Sequence, residues 1–211
     1  MIMEEKYVIT IGRQLGSGGK LIGEKLAARL KISCYDKELI QIASKESGLC
    51  KDFFEQADEK TGFSFSGLFG LSSYGGGDFF ANNYLCSESL FKIQSDVIQK
   101  LAGEQSCIFV GRCADYILRD HPRHLNVFIT ADIEDRIRRV AEGRNLPEDK
   151  IKTMIDQADK KRAGYYNYYS NKVWGMANSY DLCINSSAFG IEETVSCILH
   201  FAQRKFNINI P

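Results

Sequence analysis

The stretch "YVITIGRQLGSGGKLIGEKLAARL", residues 7–30, decides the fold. A β-prone apolar run leads into a glycine-rich turn, and beyond the turn Ile22, Leu26 and Leu30 recur at helical spacing. The stretch therefore predicts a strand, a tight turn and a helix. Because backbone N–H groups converge in such a turn and the helix N-terminus adds partial positive charge, the turn is suited to bind a phosphate.

The turn fits the standard phosphate-loop pattern, G-x-x-x-x-G-K-[ST], in two imperfect registers. If Lys20 takes the lysine position, Gln14 replaces the first glycine and Leu21 replaces the hydroxyl residue. If the Gly-Ser-Gly of 16–18 is aligned instead, Gly19 occupies the lysine position. Lys20 then follows one residue late, about 100° further round the helix.

The two registers leave two candidate cations for the transferring phosphate, Lys20 and Arg13, since Arg13 stands at the end of the strand. Ser17 is the nearest hydroxyl that could hold Mg²⁺. The predicted nucleotide-binding residues are Gly16, Ser17, Gly18, Gly19, Lys20 and Leu21.

The rest of the chain alternates strand and helix patterns. Further short β-prone runs lie at 32–36, 106–111, 124–130 and 180–186. Apolar stripes at helical spacing occupy 133–141 and 191–202. Near-continuous apolar strands are typical of parallel sheets buried on both faces, so the pattern predicts an α/β fold with a mostly parallel five-stranded sheet and flanking helices.

Length and composition indicate one soluble domain. The chain has 211 residues, and Lys+Arg and Asp+Glu each total 27, so a zero net charge gives no support for a nucleic-acid or membrane-surface binder. Seven cysteines without a C-x-x-C pair favour reduced, buried thiols. With no signal pattern and no apolar run of about 20 residues, a cytoplasmic location is predicted.

One segment, 60–83, breaks the alternation because it is rich in Gly, Ser and Phe and contains three consecutive glycines at 75–77. Such glycines exclude a regular helix there. The composition predicts a mobile insertion, either a flap over a site or a loop without a role.

The stretch "CIFVGRCADYILRDHPRHLNVFITADIEDRIRRVAEGRN", 107–145, resembles the cytidylate kinases, the P-loop kinases of nucleoside monophosphates. Its "VGRC" and "LNVFITADIEDRIRRV" are spaced along the chain as the corresponding motifs of that family are. The resemblance extends to "DKKRAGYYNYY" (159–169) and "ISCYDKELI" (32–40), and it is closer still to the uncharacterised cytidylate-kinase-like branch. It implies a single P-loop kinase-like domain over 1–211, with an acceptor-binding region at 36–102 and a lid at 143–162.

The resemblance also implies ATP and Mg²⁺ as cofactors, a nucleoside monophosphate such as CMP or dCMP as acceptor, and roles for particular residues. Arg112 would hold the acceptor phosphate, and Arg136 or Arg139 would contact the transferring phosphates. The remaining implied acceptor-binding residues are Asp36, Lys37, Asp159 and Arg162.

Physical reasoning supports arginine in these roles, because phosphoryl transfer needs mainly alignment and positive charge, and a guanidinium binds two phosphate oxygens at once. Two alternatives stay open. A kinase of another small metabolite fits the same fold, since acceptor pockets vary on one scaffold. A nucleotide-binding sensor without transfer activity fits the missing hydroxyl after Lys20.

Overall fold

The structure is a computed structural model that describes residues 6–36 and 80–208, with 80–87 and 89 described by their backbone only. The chain divides into two compact units: 1–37 together with 99–211, and 38–98. The second unit lies within the predicted acceptor-binding region, 36–102, of which 37–79 fall outside the described residues. Of the predicted insertion at 60–83, only the helical backbone of 80–83 is described.

Five strands form one sheet within the described residues, with the order β2-β3-β1-β4-β5. They are β1 (Val8–Arg13), β2 (Ser33–Tyr35), β3 (Cys107–Val110), β4 (His124–Thr130) and β5 (Leu182–Asn185). Every neighbouring pair is parallel, so the predicted mostly parallel five-stranded sheet is confirmed, and the described part of the chain adds no antiparallel strand to it. The residues of β3 are all buried, as its continuous apolar sequence predicts.

Helices lie between the strands and after the last strand in the described ranges, and the first, fourth and sixth helices correspond to the helical stripes predicted from the sequence. In chain order the helices are α1 (Gly19–Leu30), α2 (Phe80–Glu104), α3 (Ala114–Ile117), α4 (Ile133–Ala141), α5 (Glu148–Ser170) and α6 (Ser186–Phe206), with a 3₁₀ turn at Ala177–Ser179. Helix α6 contains a kink at Gly190, whose φ of 74° is not helical. Of the helices that are described, none is long and apolar enough to cross a bilayer.

The main core lies between the sheet and helices α1 and α6. Ile22 and Leu26 of α1 and Val195 and Ile198 of α6 are fully buried with alternate residues of β1, β3 and β4. Burial of each such side chain stabilises the fold by about 1.5–3 kcal/mol. This packing fixes the start of α1 directly after the carboxyl end of β1.

Candidate active site

The glycine-rich turn, residues 14–18, lies between the carboxyl end of β1 and the first residue of α1. Gly16 and Gly18 have φ angles of 79° and 78°, a left-handed conformation that favours glycine. A Cβ at Gly16 would also lie 2.6 Å from the carbonyl oxygen of Arg136. Backbone geometry and close packing therefore both require glycine at position 16.

Every carbonyl oxygen of the turn accepts a hydrogen bond. Ser186 Oγ donates to Ser17 O (2.7 Å), Arg136 Nε to Leu15 O (2.8 Å), Ser17 Oγ to Gln14 O (2.9 Å), Ile22 N to Gly18 O (2.9 Å) and Arg139 Nη1 to Gly16 O (3.1 Å). Arg162 Nη1 also donates to the oxygen of Arg13, the last residue of β1 (3.1 Å). Within 6–36 and 80–208, no group accepts a hydrogen bond from the N–H of Gly16, Gly18 or Gly19. The turn thus retains amide donors for an anion, as a phosphate cradle requires.

Asp159 of α5 binds the same turn. Its Oδ1 accepts a hydrogen bond from Leu15 N (2.8 Å), and its Oδ2 pairs with Arg136 Nη2. Arg162 Nη1 lies 3.5 Å from the same Oδ1. Asp159 and Arg162, assigned by the resemblance to the acceptor, thus contact the donor turn, defined as residues 13–18, in this structure, as does Arg136, assigned to the transferring phosphates. Their predicted roles towards substrates stay predictions.

The Arg13 side chain runs from the end of β1 towards the end of β3. A Cβ at Gly19 would lie 2.6 Å from Cβ of Arg13, and a Cβ at Gly111 would lie 2.9 Å from its Cζ. Two glycines therefore leave the space that this side chain occupies. Gly19 is the residue that replaces the loop lysine in the second register, and Arg13 takes the space beside it.

Lys20 points towards the end of β2, where its Nζ lies 2.5 Å from Asp36 Oδ2. The Lys20 side chain is 59% exposed, whereas the Asp36 side chain is only 10% exposed. The position of Lys20 one residue late on α1 explains this direction, because each residue turns the helix by about 100°. Of the other predicted residues here, Leu21 is 45% exposed and Lys37 falls outside the described ranges.

Arg112 lies in an unusual turn after β3. Gly111, Arg112 and Cys113 have successive φ angles of 83°, 61° and 55°. A left-handed conformation costs a non-glycine residue about 1–2 kcal/mol, so surrounding contacts must hold this turn. One contact is the Tyr165 ring, whose centroid lies 5.3 Å from Cζ of Arg112. The Arg112 guanidinium is thus oriented by an aromatic residue of α5.

A buried carboxyl group supports the same turn. Tyr166 donates its hydroxyl proton to Asp115 Oδ2 (2.7 Å), and burial raises the pKa of Asp115. No sequence pattern indicated Asp115 as a site residue or a contact between Tyr165 and Arg112. The only signal was the run of tyrosines at 165–169, which does not indicate a partner.

Mg²⁺ in phosphoryl-transfer sites is usually held by one or two carboxylates together with substrate phosphates, so it needs no dedicated protein cage. No cluster of three or more His, Cys, Asp or Glu side chains is present in the parts of the chain that the structure describes. Ser17, the predicted magnesium ligand, is fully buried and donates its hydroxyl proton to Gln14 O. The predicted role of Ser17 as a magnesium ligand stays a prediction.

Solved structures support the fold assignment. An uncharacterized protein from Eubacterium ventriosum is 28% identical, with 94% of this chain and 99% of that chain covered and a TM-score of 0.70. The shikimate kinase from Bacteroides thetaiotaomicron is 14% identical, with 93% and 98% covered and a TM-score of 0.52. The shikimate kinase from Acinetobacter baumannii in complex with shikimate is 14% identical, with 95% of both chains covered and a TM-score of 0.51. The chain therefore has the P-loop kinase fold.

A comparison with curated proteins found no match. The sequence model of the cytidylate kinase-like family matches residues 8–188, which include the glycine-rich turn, the Arg112 turn and all of α5. The match covers well over half of the chain. The chain therefore belongs to the cytidylate kinase-like family.

Proposed function

We propose that the protein transfers the γ-phosphoryl group of ATP to a nucleoside monophosphate, CMP or dCMP. Family membership and the P-loop kinase fold support a small-molecule phosphotransferase. The observation that carries the proposal is the path of Arg13, which runs from the glycine-rich turn to Gly111, the residue before Arg112. A cation on this path lies between the donor turn and the acceptor arginine.

The donor phosphates would bind the amides of Gly16, Gly18 and Gly19. These N–H groups have no acceptor within the described residues, and they lie at the N-terminus of α1. Phosphate groups suit such a site because the aligned peptide dipoles and the converging donors both favour negative charge. The cradle thus fits ATP, and Mg²⁺, the counter-ion that kinases generally use, would bind through the donor phosphates.

The transfer itself needs alignment and charge rather than covalent chemistry from the protein. An oxygen of the acceptor phosphate attacks the γ-phosphorus, the bond to the β–γ bridging oxygen breaks, and ADP leaves. Negative charge develops on the equatorial oxygens of the transferring group. A guanidinium at Arg13 would stabilise that charge in place of the loop lysine that Gly19 replaces.

The acceptor phosphate would bind Arg112. This side chain follows the carboxyl end of β3, the edge at which ligands bind in open parallel sheets, and Tyr165 orients it. Asp36, at the end of β2, would contact the rest of the acceptor. Lys37 is proposed for the same region from the resemblance alone.

The proposal is tested by measuring ADP release with MgATP and a panel of nucleoside monophosphates, using wild type, Arg13→Ala and Lys20→Ala. We expect release with CMP or dCMP. Loss of Arg13 should lower kcat by about 100- to 1000-fold, the usual effect of removing a donor to a developing negative charge. Lys20→Ala should cost less than tenfold, because Asp36 holds the Lys20 amine at β2. Full activity of Arg13→Ala would contradict the assignment of Arg13.

A second candidate is a kinase of another small metabolite. The solved structures that share the fold include shikimate kinases, one of them in complex with shikimate. At 14% identity this likeness shows the fold alone, so shikimate and simple alcohols belong in the same panel. A third candidate, a sensor without transfer activity, is favoured by Gly19 at the lysine position, and it predicts ATP binding with no acceptor-stimulated ADP release.

A further inference from the structure

One face of α5 contacts both halves of the proposed active site. Asp159, Arg162, Tyr165 and Tyr166 follow each other at intervals of three, three and one residues, which places them along one stripe of the helix. The first pair contacts the donor turn, Tyr165 contacts Arg112, and Tyr166 contacts Asp115 just beyond the Arg112 turn. About 9 Å of helix axis separates Asp159 from Tyr165.

At the donor end, Asp159 fixes a backbone amide and Arg162 fixes a backbone carbonyl. Leu15 N donates to Asp159 Oδ1 at 2.8 Å, and Arg162 Nη1 donates to Arg13 O at 3.1 Å. The Asp159 side chain is 16% exposed and also pairs with Arg136, so its carboxylate has little contact with water. Hydrogen bonds of this kind, with one charged partner and little solvent, are the strong class.

At the acceptor end, Tyr165 lies beneath the Arg112 guanidinium and Tyr166 bonds Asp115, two residues beyond the left-handed turn. Burial raises the pKa of Tyr165 to about 12, so its ring stays neutral at physiological pH. Because Arg112 and Cys113 have left-handed backbones, the turn needs such contacts to keep its shape.

We propose that α5 is a positioning element that holds the donor turn and Arg112 at a fixed distance and orientation. Asp159 acts through the turn, and Tyr165 acts through Arg112. The inference rests on the proposed function and deepens it. It gives Asp159 a different role from the acceptor contact that the family resemblance implies. On this proposal neither residue touches the reacting atoms, so both are positioning residues rather than catalytic ones.

The test compares Asp159→Ala and Tyr165→Ala, with the exposed residues Asp156 and Tyr168 of the same helix substituted by alanine as matched controls. Asp159→Ala should raise the KM for ATP by about tenfold or more and change the KM for CMP less than twofold. Tyr165→Ala should show the opposite split, with the KM for CMP raised by about tenfold. Tyr165→Phe, which retains the ring face, should recover most of that loss. Both controls should match wild type.

Amide hydrogen exchange gives a second readout that needs no activity. Residues 12–21 should exchange at least about tenfold faster in Asp159→Ala, and residues 110–118 should do so in Tyr165→Ala, because each substitution removes the contact that holds its own segment. If Asp159→Ala fails to fold, Asp159→Asn replaces it, since an amide oxygen can still accept from Leu15 N while the charge is lost.

The outcomes separate the two proposals. A wild type that neither binds ATP nor releases ADP overturns the proposed function, while the exchange data still test whether α5 fixes the two segments. Unchanged exchange in both variants overturns the positioning role. A raised KM for CMP alone in Asp159→Ala also overturns it, because this is the result expected of an acceptor-binding residue. An equal rise of the KM values for ATP and CMP in both variants likewise overturns the positioning role, because it indicates general destabilisation.

Discussion

Gly111→Ala is expected to lower kcat by displacing Arg13. A Cβ at this position would lie 2.9 Å from Cζ of Arg13 and closer still to Nη1. Ordinary carbon contacts are about 3.5–4.0 Å, so the guanidinium must move by at least about 1 Å. The flexible arginine side chain can move more easily than the backbone of β3, so the fold survives and the cation is misplaced.

The expected magnitude has two parts. A misplacement of about 1 Å in a group that acts on the reacting centre can lower the rate by about 100-fold. Independently, alanine at the Gly111 φ of 83° costs about 1–2 kcal/mol of folding free energy. For a chain of this size each kcal/mol lowers Tm by roughly 2–4 °C. We therefore expect a loss of about 100-fold in kcat together with a modest decrease in Tm.

The assay is steady-state ADP release with CMP, combined with thermal unfolding, for Gly111→Ala and for Gly143→Ala as the matched control. Gly143 has a φ of 70° with nothing within 4 Å of a Cβ, so its substitution introduces the backbone strain without a contact to Arg13. The double variant with Arg13→Ala completes the comparison. If Gly111 acts through Arg13, its substitution should have little further effect on kcat once Arg13 is absent.

Two results would refute this reasoning. Equal kcat values for the Gly111 and Gly143 variants would mean that the space for the guanidinium is unimportant. Fully additive effects of the Gly111 and Arg13 substitutions would mean that the two residues act separately.

Two further predictions concern Arg112 and the buried thiols. Arg112→Ala should raise the KM for CMP by about 10- to 100-fold and leave ATP affinity within twofold, because it removes a charged hydrogen-bond donor from the acceptor phosphate alone. Arg119→Ala, which removes an exposed arginine stacked on Tyr116, is its control, and equal loss of ATP and CMP binding would contradict the role of Arg112. Burial raises the pKa of Cys113 to about 12, so the unfolded chain loses this proton first as pH rises, and the free energy of unfolding should fall more between pH 9 and 11 in wild type than in Cys113→Ala. A parallel pH profile in chemical denaturation of the two proteins would show that Cys113 is not the group responsible.

The strands and helices α1, α4 and α6 could be predicted from local sequence, because a buried strand or helix face shows as a pattern of apolar residues. Runs such as 107–110 are apolar throughout, since a central parallel strand is covered on both faces. The order of the strands has no such local signature, because it depends on which strand each helix returns to. The pairing of β1 with both β3 and β4 gives the strand order, which agrees with the fold that the family resemblance implied.

The sequence by itself determined that a glycine-rich turn follows the first strand and that an arginine follows β3. A left-handed backbone favours glycine, and a buried strand ends where its apolar run ends, so both features can be recognised from residue type. Only the tertiary structure decided what the charged side chains contact. Lys20 and Arg13 were equal candidates in the sequence for the cation at the transferring phosphate. In the structure Lys20 pairs with Asp36, whereas the Arg13 side chain runs between Gly19 and Gly111. Asp159 and Tyr165 are distant in sequence from their partners at 15 and 112, and a long-range contact depends on helix rotation and packing that no local pattern encodes.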